Sequence, residues 1–441
     1  MRQRSSCCLS AILLLLSADS AFAQRQQVGF TNVNDADHIL SMRERAQYMD
    51  EMVEWRIEHL LPELMDKHGI DLWLVIDREN NKDPVAKTIG DRMFLGRFTA
   101  LYRGEAGVER RRGGFDRIRE LVAELDAQAI GINTSALWNN GDGLTAALHA
   151  RLMESLGEYG ARVVSAESLS NEWLETKTAR ELSVYRHVAG VTHDIISEAF
   201  SNRVIVPDVT TVQDVAWYIE QRIADLGLIG WAFSVVVQRS DADIERYGDP
   251  AELFSFDDPS SWADTEIIIR RGDILHSDIG TEYLGLNTDN QQHVYVLRAG
   301  ETDVPEGLKQ ALRNSNRLQD IFLSEFREGR SGNAITSATL ERARAEGLTP
   351  MVYTHPIGYH QHSGGTIMGA DSDYAQHNPL PKAEYPLHYN TVWSIELETI
   401  SRIPEWEGKE VEIALEEQGA FTEAEGAYFV DGRQTSWLIV H

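Results

Sequence analysis

Two aspartates, Asp278 and Asp289, stand 11 residues apart in the stretch GDILHSDIGTEYLGLNTDNQQHVYVL, Gly272–Leu297. Carboxylates can hold hard cations through oxygen, and one carboxylate can bridge two ions. Further on, Thr354–His362 carries three histidines, His355, His360 and His362, just before Gly364 and Gly365. Imidazole is the commonest metal ligand and the usual acid or base near neutral pH. Two acidic pairs then follow apolar runs: Glu396 and Glu398 after Val392–Ile395, and Glu416 and Glu417 after Ala414–Leu415. Each feature alone has a plainer reading. Aspartates favour turns, histidine tracts occur on incidental surface, and a glutamate after an apolar run is commonly a solvated strand-edge residue. Two aspartates facing one cavity, however, would repel each other unless something positive sat between them. A metal pair answers that requirement.

The elements that must position these groups can be read from periodicity. The runs around the aspartates, broken by Gly280 and Gly285, predict two short strands with tight turns. Residues two apart on a strand share a face, so His276 points with Asp278 and Asn287 with Asp289. Upstream, the spacing predicts a long helix over Thr176–Asn202, a second over Thr211–Leu226 capped by its threonine, and a strand at Phe233–Val237. His187 and His193 on the long helix have no partner in the sequence and read as ordinary helix residues. Two more helices, Leu308–Phe326 and Ala334–Ala345, precede strands at Tyr389–Ile400 and Ala420–Val440. Helix, helix, strands thus occurs twice after residue 171, which predicts a duplicated α+β domain over 171–441 with its site between the halves. Before it, helices at Met42–Met65, Arg117–Leu125 and Leu144–Leu156 alternate with strands at Leu72–Ile76, Ile130–Ile132 and Val163–Val164, an α/β domain within 24–170. The acidic stretch Ser240–Asp264 reads either as a lid or pocket rim or as a packed surface excursion.

Composition sets the context. The chain has 441 residues and a formal charge of −28, which argues against nucleic acid or anionic lipid as a partner. Met1–Arg4 with its basic residues, the apolar run Leu9–Leu16 and the small-x-small Ala21-Phe22-Ala23 form a secretory signal peptide, residues 1–23, too short to anchor in a membrane. The expected location is periplasmic or secreted, with no membrane insertion. Both cysteines, Cys7 and Cys8, lie inside that leader, so the mature chain has no disulfide and no thiolate ligand.

Taken in order, Asp278, Asp289, His355, Glu396 and Glu416, at intervals of 11, 66, 41 and 20, resemble the pita-bread metallopeptidases: methionine aminopeptidase, aminopeptidase P, prolidase and creatinase. Asp278-x-Gly280-x-x-Tyr283-x-Gly285-x-x-x-Asp289 is similar to the family's hairpin, His355-Pro356-Ile357-Gly358 to its His-Gly-Ile-Gly, and His362 falls seven residues further on. The resemblance implies a pita-bread catalytic domain with curved antiparallel sheets behind a creatinase/prolidase-like α/β domain. It also implies two divalent ions (Mn, Co, Zn or Fe, with Mn favoured) that activate a water between them. Asp278 would hold one ion, Asp289 and Glu416 would bridge both, and His355 and Glu396 would complete the second. Glu396 would also take the water's proton, and His362 would hydrogen-bond the substrate carbonyl. Glu416 fits the family's pattern better than Glu417. The implied protein is an exported Xaa-Pro aminopeptidase or dipeptidase acting on small peptides, and a homodimer.

The chain departs from the family in four places. No histidine lies between His193 and His276, where the peptidases carry one that helps hold the substrate; His276 and His360 are the nearest replacements. Leu397, Glu398 and Ala414 stand where proline, glycine and arginine are usual. These changes spare the ligand set. They open an alternative, in which the same site performs a non-peptide C–N hydrolysis on a small amide, or a lyase reaction.

Overall fold

The computed structural model describes residues 38–79, 81–90, 97–104, 107–250, 266–370, 372 and 374–441. The expected leader 1–23, residues 24–37, and residues 251–264 of the acidic stretch lie outside them. The part of that stretch inside them is pinned: Ser240 caps the helix Asp241–Tyr247, and Arg298 pairs with Asp243. Among the described residues no helix is long and apolar enough to cross a membrane.

The first unit is a mixed five-stranded sheet between helices. β1 (Leu72–Asp77) pairs antiparallel with β2 (Arg97–Gly104) and parallel with β4 (Ile130–Ile132). β3 (Gly107–Gly113) and β5 (Val163–Ser165) form the edges. A strand covered on both faces must be apolar throughout, and Leu72-Trp73-Leu74-Val75-Ile76 is. Trp73 and Val75 pack with residues of the helices Met42–Trp55, Leu61–His68 and Glu167–Glu175. Leu72, Leu74 and Ile76 pack with Phe115–Leu125 and Ala146–Leu156 on the other side. The hairpin β2–β3 has no counterpart in the periodicity reading. Its arginine-rich edge, Arg110-Arg111-Arg112, lacks the apolar alternation that would mark a strand.

The second unit is a ten-stranded sheet. Its path is β11 (Met368–Gly369), β10 (Pro350–Pro356), β12 (Thr391–Ile403), β13 (Lys409–Thr422), β9 (Asn290–Val296), β7 (Ile274–Tyr283) and β6 (Ile229–Gln238). β8 (Leu286–Asn287), β14 (Gly426–Phe429) and β15 (Leu438–Val440) pair beside it. The helices Ala179–Ala199, Val212–Asp225, Glu306–Leu323 and Gly332–Ala345 pack on the sheet as two successive pairs, so the duplicated pattern read from the sequence is the one that folds. The first two open with capping boxes, Thr178 with Glu181 and Thr211 with Asp214.

Two expectations need correction. Gly280 does not break a strand: it lies within β7, paired opposite Trp231. The turn comes only at Leu284 (φ 54°) and Gly285 (φ 79°), a two-residue connection with both residues left-handed, which the twist of a tight hairpin favours. The predicted strand Ala420–Val440 is instead the end of β13, then the short β14 and β15. The long strand begins at Lys409, and glutamates within its apolar run masked its start.

Candidate metal centre

Strand register builds the site. Tyr353 on β10 pairs with Glu396 on β12, Glu396 with Glu416 on β13, Glu416 with Gln291 on β9, and Gln291 with Asp278 on β7. Paired residues share a face, so one row across five strands carries three carboxylates and an amide. An adjoining row on the same face, two residues along each strand, contains His355 opposite Ser394 and Ser394 opposite Gln418. Asp289 stands two residues before Gln291. Gln418 Nε2 donates to its backbone oxygen. The single Ser394 hydroxyl proton goes to Glu416 Oε1, the shorter contact, with the Asp289 backbone oxygen 3.3 Å from Ser394 Oγ.

Asp289, His355 and Glu416 bring ligand atoms within 4.8 Å of one another, all buried. His355 Nε2 lies 3.4 Å from Asp289 Oδ2 and 3.8 Å from Glu416 Oε1. Its Nδ1 donates to the Pro356 carbonyl at 3.3 Å, which leaves Nε2 as the lone-pair nitrogen facing the carboxylates. Burial, then the neighbouring His362, lowers the imidazole to about 3, so it is neutral at physiological pH. Glu396 joins through Gln291 Nε2, which lies 2.8 Å from Glu396 Oε1 and 2.7 Å from Glu416 Oε2. Burial raises Asp278 to about 6, against the pull of its hydrogen bond with Asp289. Asp289 and Glu416 are raised too, first by burial and then by neighbouring carboxylates.

A divalent cation fits this arrangement. Asp278 Oδ1 and Asp289 Oδ1 are buried with no hydrogen-bond partner, and such oxygens are costly unless something positive meets them. Carboxylates with one neutral imidazole and no thiolate suit Mn, Co, Fe or Zn.

The remaining candidates are placed as follows. His362 stacks on His355, with ring centroids 4.0 Å apart and planes at 9°, and is the exposed member of the pair. Burial lowers its imidazole as well. His276 lies on the site face one row away; its Nε2 bonds Gln291 Oε1 at 3.0 Å and its ring stacks on His293. His360 is turned toward the first unit, its Nε2 bonding the Pro84 carbonyl at 2.8 Å. The loop that carries these histidines is clamped on both sides. Asn287 Nδ2 donates to the Gly358 carbonyl at 3.0 Å, Asn140 Nδ2 to the His362 carbonyl at 2.6 Å, and Tyr359 Oη to Glu181 at 2.6 Å. Gly364 allows the closest approach, since a Cβ there would sit 2.4 Å from the Asn171 carbonyl oxygen.

Glu417 points to the opposite face of β13. There His193, read from the sequence as an ordinary helix residue, bonds Glu417 Oε2 through Nε2 and Asp431 Oδ2 through Nδ1, both at 2.7 Å. Asn290 Nδ2 adds a bond to Glu417 Oε2 at 2.9 Å. Burial alone would lower His193, but Glu417 and Asp431 together raise it to about 9. This buried charge network braces β9 and β13 directly behind Asp289 and Glu416. The sequence held no local sign of it, because both partners lie more than 220 positions away.

A buried cluster of carboxylates and imidazole on the face of a curved antiparallel sheet defines a metal-dependent hydrolase on a pita-bread scaffold. Residues 183–423, more than half of the chain, match the model of metallopeptidase family M24, and the chain belongs to that family. Among solved structures it is similar to an X-Pro aminopeptidase from Thermotoga maritima at 16% identity and a TM-score of 0.60, covering 86% of this chain and 100% of that one. It is similar also to an Xaa-Pro dipeptidase from Bacillus anthracis (15% identity, TM-score 0.58, covering 89% and 99%) and to the prolidase from Pyrococcus horikoshii OT3 (16%, 0.55, covering 89% and 98%). At these identities the likeness is one of fold. The coverage extends it into the first unit. No curated protein sequence matches the chain.

Proposed function

We propose that this protein is an exported metallo-aminopeptidase or dipeptidase that cleaves Xaa-Pro bonds in small peptides, with manganese as the favoured metal. The observation that carries this reading is the juxtaposition of Asp289, His355 and Glu416, with Glu396 directly opposite Glu416 on the neighbouring strand. A divalent ion, when bound by these groups, supplies a Lewis acid that lowers the pKa of a water and polarises the scissile carbonyl. Glu396 would accept the proton of the attacking water. His362, neutral and exposed beside His355, donates to the carbonyl oxygen as negative charge develops on it. Export rests on the leader 1–23.

His362→Ala is expected to lower kcat about 100-fold, the cost of one such donor, with metal content unchanged. Unchanged kcat would remove His362 from the reaction. The substrate class is tested by a panel of Xaa-Pro dipeptides and tripeptides, non-prolyl peptides and non-peptide amides. Preferential Xaa-Pro cleavage is expected. Turnover of non-peptide amides without prolyl cleavage would instead support the second reading, which the missing upstream histidine and Ala414 favour: the same centre applied to another C–N bond.

A further inference from the structure

Gln291 stands in the middle of the acidic row and is 5% exposed. Its amide nitrogen donates to Glu396 Oε1 and Glu416 Oε2, and its oxygen faces His276 Nε2. The reverse orientation would set a carbonyl oxygen against two carboxylates, so the network fixes the amide as described. His276 is supported in turn. It stacks on His293 at 4.6 Å, and His293 Nε2 donates to the Ala414 carbonyl at 2.8 Å. The arm carrying the amide is therefore braced from behind.

A neutral NH2 group between two carboxylates does part of what a shared cation does: its two partial positive charges offset the repulsion of the oxygens it joins. A carboxylate that bridges two ions through separate oxygens needs both of them turned to metal. Glu416 Oε1 accepts from the Ser394 hydroxyl and faces His355, while Oε2 accepts from the Gln291 amide, the group that also ties it to Glu396. We infer that Gln291 takes the place of a second ion, so that this centre loads one divalent cation, at Asp289, His355 and Glu416, while the glutamine amide bridges Glu416 to Glu396. This rests on the metal-centre reading above and replaces the two ions implied by the resemblance with one ion and one side chain.

The test is metal stoichiometry. Purified protein is equilibrated with Mn(II) and passed through a desalting column. Bound metal is counted by elemental analysis, and its electron paramagnetic resonance spectrum is recorded. About one Mn per chain with an isolated-ion spectrum is expected, rising to two with a spin-coupled spectrum in Gln291→Ala and in Gln291→Thr. Two ions per chain in the unmodified protein would overturn the inference, as would a single ion in both variants. No metal in any of the three would overturn the metal-centre reading itself. Thermal melting of each variant with and without Mn(II) identifies any that fail to fold. Gln291→Thr, which places a β-branched residue of high strand propensity in β9, is the one expected to survive if Gln291→Ala does not.

Discussion

Asp289→Asn is expected to abolish metal retention and to lower kcat/KM at least about 1,000-fold, while making the metal-free protein more stable. The activity loss follows from the position of Asp289. Its carboxylate faces His355 at 3.4 Å and touches Asp278, so the neutral amide removes a ligand charge that no neighbouring group can supply. Loss of Lewis-acid stabilisation worth several kcal/mol corresponds to about three powers of ten in rate. The stability gain follows from the same crowding. Burial and then Glu416, Asp278 and Glu396 push the Asp289 carboxyl well above its usual range. A carboxyl raised in the fold holds its proton more tightly there than in the unfolded chain. The metal-free protein therefore loses stability as pH rises from about 4, the unfolded carboxyl value, toward the folded one. The asparagine variant lacks that penalty, so its advantage in melting temperature over the metal-free parent should grow between pH 4 and 7. A variant that melts lower than its metal-free parent at pH 7 would show that the carboxylates are not held in this proximity.

His193→Leu is expected to cost about 3–5 kcal/mol of stability, measured by urea denaturation of the metal-free protein. The substitution leaves Glu417 and Asp431, both buried, without the cation they share. The sign of the pH dependence is distinctive. His193 is raised from 6.5 to about 9, so its contribution is complete below 6.5 and is lost as pH climbs through about 9. The parent protein should therefore lose stability across that window, and the leucine variant should show a flatter slope. A loss under about 1 kcal/mol would mean that the two carboxylates find water or another partner, and that the network does not brace the strands.

The convergence of the candidate ligands was legible because strands have a short, strict period. Once Asp278 and Asp289 were read on strands, their faces followed, and the family spacing located His355, Glu396 and Glu416. The choice between Glu416 and Glu417 turned on which face of β13 each occupies, and two adjacent acids in an apolar run do not reveal that until the register with Gln291 and Glu396 is known. Gln291 carried no signal of its own, since an amide has no charge or titration to mark it; it matters only because β9 lies between β7 and β13. His193 was misjudged for a related reason. Its meaning comes from long-range pairing, which no local pattern encodes. Gly280 misled in the opposite sense, its breaker propensity overridden by the ladder that pairs β7 with β6.

The most direct test is to measure the metal content of the purified protein together with its cleavage of Xaa-Pro dipeptides and tripeptides, before chelation, after chelation, and after Mn(II) is restored. Cleavage that disappears with the metal and returns with it is the result expected of this centre. Xaa-Pro cleavage that persists in metal-free protein would contradict the account at its centre.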